Sequence, residues 1–489
     1  MGLYIGIDIG TSSAKITAID TAGKIVSGCD REYQYSEPQP GWKEIWPKVW
    51  VEAVKSGLKA LLSDLDRHSV EAIGITGQMH TTVFLDENGC CIRPAIMWND
   101  MRTKDDVSNV KGILTQEDTA SILKIISTGS PAMNLLWLKN NEPENFKKLH
   151  KFLIGPDYLV YYFTGKYSTD YCEASTSSLY DLEERCWSES MRKIIGLHES
   201  AYPPVKGSQE IVGSLRSDLQ EELGLPFGVK MIAGTGDNSA SAIATGCLRY
   251  QYPVLSIGTS GVLMVSRNKI DKSMKGKRIL FSLDGKEINN LIQGVVQSAG
   301  GSYGWYVKKV LGVNNFNDMT DSIDTSKLGE NNLLFYPHLT GDKTVYSDPT
   351  LRGAFIGLDT NHTREDLAIA VMEGVCFAVK QLSEAMQLSE EELHQLKVTG
   401  GGANSEVWMQ ILSDVLNVEI VQLDSSEGAA YGAAIMACNA VNGNNKKEEL
   451  QGAAEFKNSI VPRPHHVDLY AGKYHKYLRI YDAVKMIYQ

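Results

Sequence analysis

Two aspartates stand beside glycine-containing turns at which a carboxylate could act in phosphoryl transfer. Asp8 lies just before the turn Gly10-Thr11-Ser12-Ser13, and Asp237 closes the segment Gly234-Thr235-Gly236-Asp237 before a run of small residues. An aspartate that takes the proton of an attacking hydroxyl acts as a general base, which is worth roughly 10²–10⁴ in rate. The alternative for Asp237 is a plain helix N-cap. The local spacing leaves both interpretations open.

The turn after Asp8 has a counterpart far along the chain. The letters Ile-Gly-Thr-Ser occur at 9–12 and again at 257–260, each time between two apolar, strand-like runs. Glycine lets the backbone approach a phosphate closely, and exposed N–H and hydroxyl groups donate to phosphoryl oxygens. Lys15 would add a positive charge, and Asp8 is placed to orient Mg²⁺ or its waters. A plain β-hairpin turn is the alternative at each position.

A third glycine-rich segment, Thr399 to Asn404, follows an apolar strand and precedes a helix. Three glycines leave room for a flat ring or a sugar against bare backbone, and a loop without a ligand is the alternative. The small-residue helix that starts near Gly428 would pack closely on that loop or on another element. Neither a G-x-G-x-x-G nor a G-x-x-x-x-G-K-[ST] pattern is present, so dinucleotide dehydrogenases and P-loop enzymes lose their main support.

Two further segments have side chains typical of sugar binding. Gln78-Met79-His80 and Trp98-Asn99-Asp100 each follow a strand-like run and combine hydrogen-bonding groups with a flat apolar face. A lone histidine or tryptophan is more often structural, so the prediction rests on their occurrence together.

The elements that position these residues alternate between strands and amphipathic helices, which predicts an α/β fold. Helices are expected over Pro47–Leu65 and Ser405–Leu416, and strands around 72–75 and 396–399. The repeated strand–turn–strand predicts two duplicated domains, which we place at residues 1–247 and 248–489.

Composition narrows the class of protein. The 489 residues include 48 Lys and Arg against 59 Asp and Glu, a net charge of −11, without a basic run that would favour nucleic acid. The eight cysteines are scattered, which argues against a zinc or disulfide framework. No signal peptide or run of about 18 apolar residues is found. We therefore expect a cytoplasmic protein with small-molecule ligands and neither nucleic acid nor a membrane as partner.

Taken together, the motifs resemble those of the FGGY carbohydrate kinases, in the superfamily of actin, hexokinase and the heat-shock chaperone ATPases. The matching segments run in order along nearly the whole chain: 4–12, 77–80, 94–100, 236–238, 256–261, 353–358, 366–367, 370–374 and 400–403. The resemblance implies an α/β fold of two actin-like, ribonuclease H-like ATPase domains flanking a catalytic cleft, with ATP and Mg²⁺ as cofactors.

The resemblance also implies a role for each matching residue. Asp237 falls on the catalytic base and Asp8 on the acidic residue near the magnesium and the transferring phosphate, so both are candidate water-mediated metal ligands. The residues matched to the sugar site are Gln78, Met79, His80, Trp98, Asn99, Asp100 and Asn238. The residues matched to the nucleotide site are Gly10, Thr11, Ser12, Ser13, Lys15, Gly258, Thr259, Gly301, Gly401, Gly402, Ala403 and Asn404.

The implied reaction is ATP-dependent phosphorylation of a primary hydroxyl on a ketose, D-xylulose to D-xylulose 5-phosphate, because Met79 and His80 match the pair that marks the xylulose-phosphorylating members. The alternatives are ribulose, sedoheptulose, erythrulose, glycerol or gluconate as acceptor, or a non-enzymatic sugar sensor or filament protein. Departures from the family pattern at Asn134, Met101 and Gly341-Asp342-Lys343 bear on the identity of the sugar. The resemblance also implies a monomer or homodimer.

Overall fold

The computed structural model describes residues 2–114, 122, 125–250, 252–268, 273–313, 316–320, 322–423, 428–443 and 456–488. The chain divides into two units. Unit 1 comprises Met1–Ala244, Ile279–Asn290 and Glu427–Ala453, and unit 2 comprises Thr245–Arg278, Leu291–Ser426 and Ala454–Gln489.

Strands and helices alternate along both units, as the sequence predicts. The strands are β1 (Leu3–Ile9), β2 (Ser13–Asp20), β3 (Ile25–Glu32), β4 (Glu44–Ile45), β5 (Val70–Gly77), β6 (Thr82–Leu85), β7 (Ala95–Ile96), β8 (Lys151–Ile154), β9 (Thr169–Asp170), β10 (Tyr180–Asp181), β11 (Cys186–Trp187), β12 (Val205–Lys206), β13 (Ile211–Ser214), β14 (Lys230–Ile232), β15 (Thr235–Gly236), β16 (Val254–Ile257), β17 (Gly261–Arg267), β18 (Lys277–Phe281), β19 (Asn289–Val296), β20 (Leu334–Tyr336), β21 (Ala354–Ile356), β22 (Gln395–Thr399), β23 (Glu419–Leu423) and β24 (Phe456–Ile460). The helices are α1 (Pro47–Leu61), α2 (Lys104–Ile113), α3 (Pro131–Asn141), α4 (Pro143–Lys148), α5 (Gly155–Thr164), α6 (Tyr171–Thr176), α7 (Glu189–Ile195), α8 (Ser217–Leu223), α9 (Asp237–Ala244), α10 (Cys247–Tyr250), α11 (Gly300–Gly304), α12 (Asn317–Thr320), α13 (Arg364–Ala385), α14 (Glu406–Leu416), α15 (Ala429–Asn442), α16 (Pro464–Tyr477) and α17 (Ile480–Tyr488).

The main sheet of unit 1 has the order β13-β14-β5-β1-β2-β3, and β15 pairs with β5. Strands β1, β2 and β3 form an antiparallel meander, whereas β5 runs parallel to β1. Strand β1 is an almost continuous apolar run that is buried on both faces, as a central strand requires. The outer strand β3 instead alternates between partly buried and exposed residues.

The main sheet of unit 2 has the order β18-β19-β17-β16-β22-β23-β24. Its hairpin β16–β17 is antiparallel and β22 runs parallel to β16, so the pairing of β1 with β2 and β5 recurs. The strand–turn–strand repeat in the sequence is therefore confirmed as a repeat of sheet topology. The α/β class is confirmed as well.

Two predicted helices are present with small differences at their ends. Helix α1 begins at Pro47, as expected, but ends at Leu61 rather than Leu65. Helix α14 follows Ser405, whose hydroxyl caps the backbone N–H of Trp408 at 3.3 Å. Pro47 suits a first turn because its missing N–H would have no helical partner there.

The small-residue helix α15 packs on β1 and β5. A Cβ atom on Gly6 would lie 1.8 Å from the carbonyl oxygen of Ala430, and one on Gly74 would lie 2.4 Å from that of Ala433. The two strand glycines therefore let the helix backbone rest directly on the sheet. Within the described residues, no helix is both long enough and apolar enough to cross a membrane.

Candidate active site

Three neighbouring strands of unit 1 carry the predicted catalytic residues to one edge of the sheet. Asp8 of β1 pairs in register with Thr76 of β5, and Thr76 pairs in turn with Thr235 of β15. All three strands are parallel, so the segments that follow them emerge together at their carboxyl ends. The first Gly-Thr-Ser turn, the Gln78–His80 segment and Asp237 therefore share this edge.

The first turn is held at the carbonyl of Gly10. This carbonyl accepts hydrogen bonds from the Tyr33 hydroxyl (2.5 Å) and from Nε2 of Gln78 (2.9 Å), while the Gly10 N–H donates to the Ser13 carbonyl (2.9 Å). Ser12 at the tip of the turn is exposed. The turn is thus anchored from below, with hydroxyl groups around its tip.

Asp8 is the carboxylate that β1 brings to this edge. Its Oδ1 atom is buried and has no hydrogen-bond partner within the described residues. Burial raises the pKa of Asp8 to about 6, and the ammonium group of Lys15, its cross-strand partner in register, opposes that rise. A buried carboxylate oxygen without a donor is suited to a cation or to a water that a cation holds.

Asp237 is the first residue of α9 and is half-buried. Its Oδ1 accepts the N–H of Asn238 at 2.8 Å, and Nδ2 of Asn238 donates to the sulfur of Met79 at 3.4 Å. A Cβ on Gly236 would lie 2.6 Å from Met79 Cγ, so this glycine makes room for Met79. The structure thus brings the predicted base together with Met79 and Asn238.

Asp237 also suits the first position of a helix, where acidic residues are favoured. The geometry is therefore compatible both with a general base and with a residue that only starts the helix. Its role as general base stays a prediction.

Three buried acids next to this edge are absent from the sequence prediction: Asp157, Asp170 and Glu173. Asp170 caps α6 by accepting the Glu173 N–H at 2.9 Å, and its other oxygen accepts the Thr235 hydroxyl at 2.5 Å. Burial raises the pKa of Asp170 to about 6. Burial, followed by the charges of Asp157, Asp170 and Asp237, raises the pKa of Glu173 well above its usual range. The pattern Asp-x-x-Glu over 170–173 is a helix-capping signal that would have marked Asp170.

Gln78 and Asp100 use their hydrogen bonds within the protein. Gln78 is 2 % exposed, donates to Gly10 and accepts from the Thr81 hydroxyl at 3.0 Å. Asp100 is 1 % exposed and accepts from Nε of Arg102 (2.9 Å) and the N–H of Lys43 (2.6 Å). Both side chains thus shape the turns on which they lie, and their contact with a sugar stays a prediction.

Trp98 and Asn99 differ from these two. Trp98 is 45 % exposed, and its indole N–H donates to the Thr11 hydroxyl at 3.2 Å, which brings the ring beside the first turn. The Oδ1 atom of Asn99 is buried without a hydrogen-bond partner among the described residues. His80 has a left-handed backbone with φ of 69°.

Unit 2 contains a cavity of about 850 Å³ around its glycine-rich turns. Six predicted nucleotide-site residues line it: Gly258, Thr259, Gly301, Gly401, Gly402 and Asn404. Ala403 is not among the lining residues. It is 4 % exposed, and its carbonyl accepts Nε2 of Gln422 at 2.6 Å.

Backbone contacts shape the floor of this cavity. The Gly258 carbonyl accepts the N–H of Gly300 (2.9 Å), and the Thr259 carbonyl accepts the N–H of Gly301 (2.9 Å). A Cβ on Gly300 would lie 2.3 Å from the Gly258 carbonyl oxygen, whereas one on Gly401 would meet no atom within 4 Å. Gly401 therefore faces open space.

The wall of this cavity contains aromatic residues that the sequence motifs did not indicate. The ring of Tyr303 lies 5.9 Å from that of Phe316 and 5.6 Å from that of Trp408, between centroids, and Lys308 Nζ lies 4.8 Å from the Phe316 ring. All four line the cavity. The alternation of glycine with aromatic residues over 300–306 is the signal that could have revealed part of this wall.

Comparison with known proteins decides the family. A model of the N-terminal domain of the FGGY family of carbohydrate kinases matches residues 3–244, and one of the C-terminal domain matches residues 254–441. The chain belongs to the FGGY family of carbohydrate kinases. This FGGY kinase is therefore an enzyme, and the family expected from the sequence motifs is confirmed.

Relatives of this FGGY kinase match along its full length. It is 31% identical to a xylulose kinase of Staphylococcus xylosus over 484 residues, 99% of this chain and 100% of the relative. It is 30% identical to a xylulose kinase of Bacillus subtilis over 495 residues, 99% and 98% of the two chains. A solved structure described as a xyloylose kinase from Brucella ovis superposes with a TM-score of 0.91 at 29% identity, covering 99% and 100%. The two-domain kinase fold predicted from the sequence is thereby confirmed.

Proposed function

We propose that this FGGY kinase transfers the terminal phosphoryl group of ATP to the primary hydroxyl of D-xylulose, giving D-xylulose 5-phosphate and ADP. The observation that carries the proposal is the register of Asp8, Thr76 and Thr235, which brings the predicted base, the predicted sugar segment and the first turn to one sheet edge. Relatives named xylulose kinase at 30–31% identity over the full length support D-xylulose as the acceptor.

Asp237 takes the proton of the attacking hydroxyl in this mechanism. Its half-buried carboxylate keeps access to solvent, and the adjacent Asn238 and Met79 are in contact with each other, so they form one wall for the sugar. The hydroxyl oxygen then attacks the phosphorus in line with the leaving ADP. The proton stays on Asp237 until solvent removes it.

The cavity of unit 2 fits the nucleoside part of ATP. Its volume of about 850 Å³ lies within the range of ligand pockets. The exposed ring of Phe316, packed against the buried Tyr303, provides flat apolar surface for a purine, and the open face of Gly401 leaves space beside the backbone. The lysines at 308 and 309 line the same cavity and supply positive charge for phosphates.

Magnesium fits the carboxylates of unit 1 through water. Within the described residues there is no group of three or more His, Cys, Asp or Glu side chains suited to a metal. Mg²⁺ usually keeps several waters and uses one or two carboxylates together with substrate phosphates. Asp8, with its unpartnered buried oxygen, and Asp237 would hold it. The ion supplies positive charge against the phosphate oxygens.

The test is ADP formation with Mg·ATP and a panel of D-xylulose, ribulose, sedoheptulose, erythrulose, glycerol and gluconate. We expect turnover that depends on sugar, is highest with D-xylulose, and falls by about 10² or more in Asp237→Asn. Highest turnover on another acceptor would show that this acceptor, rather than D-xylulose, is the substrate, and the kinase reaction would stand. Absence of sugar-dependent ADP formation across the panel would overturn the proposed function and favour the sugar-sensor or filament alternatives.

Three further expectations accompany this function as predictions: the cytoplasm as the compartment, a monomer or homodimer as the assembly, and a domain boundary near residue 247. Sedimentation with and without ATP tests the assembly, and limited proteolysis of the full-length chain tests the boundary.

A further inference from the structure

His80, in the predicted sugar segment, has a backbone conformation that needs support. Its φ of 69° lies in the left-handed region, which is unfavourable for a residue with a side chain. The carbonyl of His80 accepts a hydrogen bond from the hydroxyl of Thr82 at 3.0 Å. Thr82 is fully buried, so the donor end of this part-buried bond is shielded from water.

Asn134 supports that hydroxyl from the other side. Its Nδ2 donates to the Thr82 hydroxyl oxygen at 2.9 Å. Since a hydroxyl has one hydrogen, which Thr82 gives to His80, its oxygen is available to accept from Asn134. The two bonds form one directed chain from the Asn134 amide to the His80 carbonyl. Asn134 itself is fully buried in helix α3.

The same amide nitrogen also bonds to a residue that packs against the second predicted sugar segment. Nδ2 of Asn134 also donates to the Gly129 carbonyl at 3.1 Å. Gly129 has φ of +76°, and a Cβ there would lie 2.5 Å from the carbonyl oxygen of Trp98. Gly129 is thus packed against the Trp98–Asp100 turn. One buried NH₂ group therefore bonds both to Thr82, which holds the His80 carbonyl, and to Gly129, which packs against the Trp98–Asp100 turn.

A neighbouring threonine joins the two turns independently. The Thr81 hydroxyl donates to Oε1 of Gln78 at 3.0 Å and accepts the N–H of Trp98 at 3.2 Å.

The Oδ1 atom of Asn134 has no hydrogen-bond partner within the described ranges. The donors of Asn134, rather than its acceptor, therefore do the linking.

We propose that Asn134, acting through Thr82 and Gly129, is a positioning residue that sets the spacing between the His80 and Trp98 turns and thereby decides which sugar the kinase accepts. This inference rests on the proposed function, since it assumes that these two turns hold the acceptor. Specificity among polyhydroxy acceptors depends on whether each hydroxyl meets a partner at the right distance, because a buried polar group left unpaired costs binding.

Two substitutions interrupt the chain in different ways. Thr82→Val removes the hydroxyl with little change of volume, so the His80 carbonyl loses its donor. Asn134→Asp replaces the donor by an acceptor of similar shape, which draws the Thr82 proton away from His80. Thr82→Ser keeps the hydroxyl and serves as the rescuing variant. Thr164→Val is the control, because the Thr164 hydroxyl makes only local bonds: it donates to the Val160 carbonyl of its own helix at 2.6 Å and accepts the N–H of Lys166 at 3.1 Å.

The experiment measures kcat, the KM of each acceptor in the panel, the KM of ATP and the Tm of the full-length chain. Sugar binding is measured separately by fluorescence, since Trp98 is 45 % exposed beside the predicted site. In Thr82→Val and Asn134→Asp we expect the KM and Kd of the preferred sugar to rise about tenfold, as the loss of one buried hydrogen bond predicts. The KM of ATP should stay within about twofold of the wild-type value. The ratio of kcat/KM for the preferred sugar to kcat/KM for the other acceptors should fall. Thr82→Ser and Thr164→Val should match wild type.

The other outcomes overturn the inference, the proposed function or both. Unchanged sugar binding and acceptor preference in a folded Thr82→Val would show that the chain does not position the turns. An equal rise in the KM of sugar and ATP with a lower Tm would show a general structural role. If Thr82→Val does not fold, Asn134→Asp decides by the same criteria, and loss of folding in both variants would also show a structural role. A wild-type chain that binds a sugar without phosphorylating it would overturn the proposed function alone. The sugar Kd of the variants, compared with that of wild type, would then still decide the inference. A wild-type chain that binds no sugar of the panel overturns both.

Discussion

The hydroxyl of Thr235 donates a hydrogen bond to the buried carboxylate of Asp170 at 2.5 Å. Thr235 stands two residues before the predicted base Asp237 in the chain. Asp170 caps helix α6 with its other oxygen, so this bond ties the short strand β15 to the start of a helix. The position of the base therefore depends on a carboxylate that itself touches no substrate in the proposed mechanism.

Replacement of Thr235 by valine should lower kcat by about tenfold and the free energy of unfolding by about 1–3 kcal/mol, because a buried carboxylate loses a donor. Steady-state kinetics and urea unfolding measure the two effects. Thr350→Val is the control, since Thr350 makes a similar bond to Asp348 (2.6 Å) in an exposed turn. Equal effects of the two substitutions would contradict the role given to Thr235.

Asp237→Asn should reduce kcat by about 10² or more while the protein stays folded, because the amide cannot take up the hydroxyl proton. Asp218→Asn provides the comparison, because Asp218, like Asp237, lies in the first turn of a helix. Unlike Asp237, Asp218 is exposed and pairs with Arg216. If Asp237→Asn lowers the Tm and leaves kcat near wild type, then the residue only starts helix α9.

Asp8→Asn should have opposite effects on activity and on stability. Burial raises the pKa of Asp8 from 3.8 to about 6, so the folded chain binds a proton between these values that the unfolded chain does not. The stability that this group contributes therefore falls as pH rises through about 4 to 6. Without nucleotide or metal, the variant should gain stability relative to wild type at pH 7.5 and gain less at pH 5, while its kcat falls.

Urea unfolding of Asp8→Asn at the two pH values, beside the exposed Asp64→Asn, measures this difference. A relative stability that is independent of pH, or that favours wild type more at pH 7.5 than at pH 5, would contradict the raised pKa of Asp8.

Gly6→Ala should destabilise unit 1 by about 1–3 kcal/mol or prevent its folding, since the new Cβ would lie 1.8 Å from the backbone oxygen of Ala430 and push α15 off the sheet. Gly28→Ala is the matched strand substitution, because its nearest atom, the Ile16 carbonyl oxygen, lies 3.5 Å away. Denaturant unfolding compares them. Similar stabilities of the two variants would argue against close packing of α15 on β1.

Gly401→Leu should raise the KM of ATP about tenfold and leave the sugar KM and the Tm within error, because its side chain would enter the open cavity of unit 2 rather than collide with the protein. Gly472→Leu, at an exposed position of helix α16, also meets no atom within 4 Å and controls for an added side chain. An unchanged ATP KM in Gly401→Leu would remove this cavity from the nucleotide site.

The sequence by itself determined the features that depend on neighbours along the chain. The hairpins at Gly10 and Gly258, the strand before the Gly400 turn and the start of helix α1 at Pro47 all follow from local patterns of apolar, glycine and proline residues. Local periodicity and turn chemistry are sufficient for such elements. The two carboxylates Asp8 and Asp237 were marked in the same way, by the turns beside them.

Only the tertiary structure decided which of these residues meet. The pairing of β1 with β5, and of β5 with β15, joins positions far apart in the chain, and no local pattern specifies such partners. The same holds for the inward hydrogen bonds of Gln78 and Asp100, which were predicted as sugar ligands from their types.

Burial decided the remaining features. A carboxylate such as Glu173, or an amide such as Asn134, has its effect because the fold removes it from water and fixes its few partners. The sequence shows neither the solvent exposure of a side chain nor the direction of its hydrogen bonds, and in a low-dielectric interior these two quantities set both pKa and geometry.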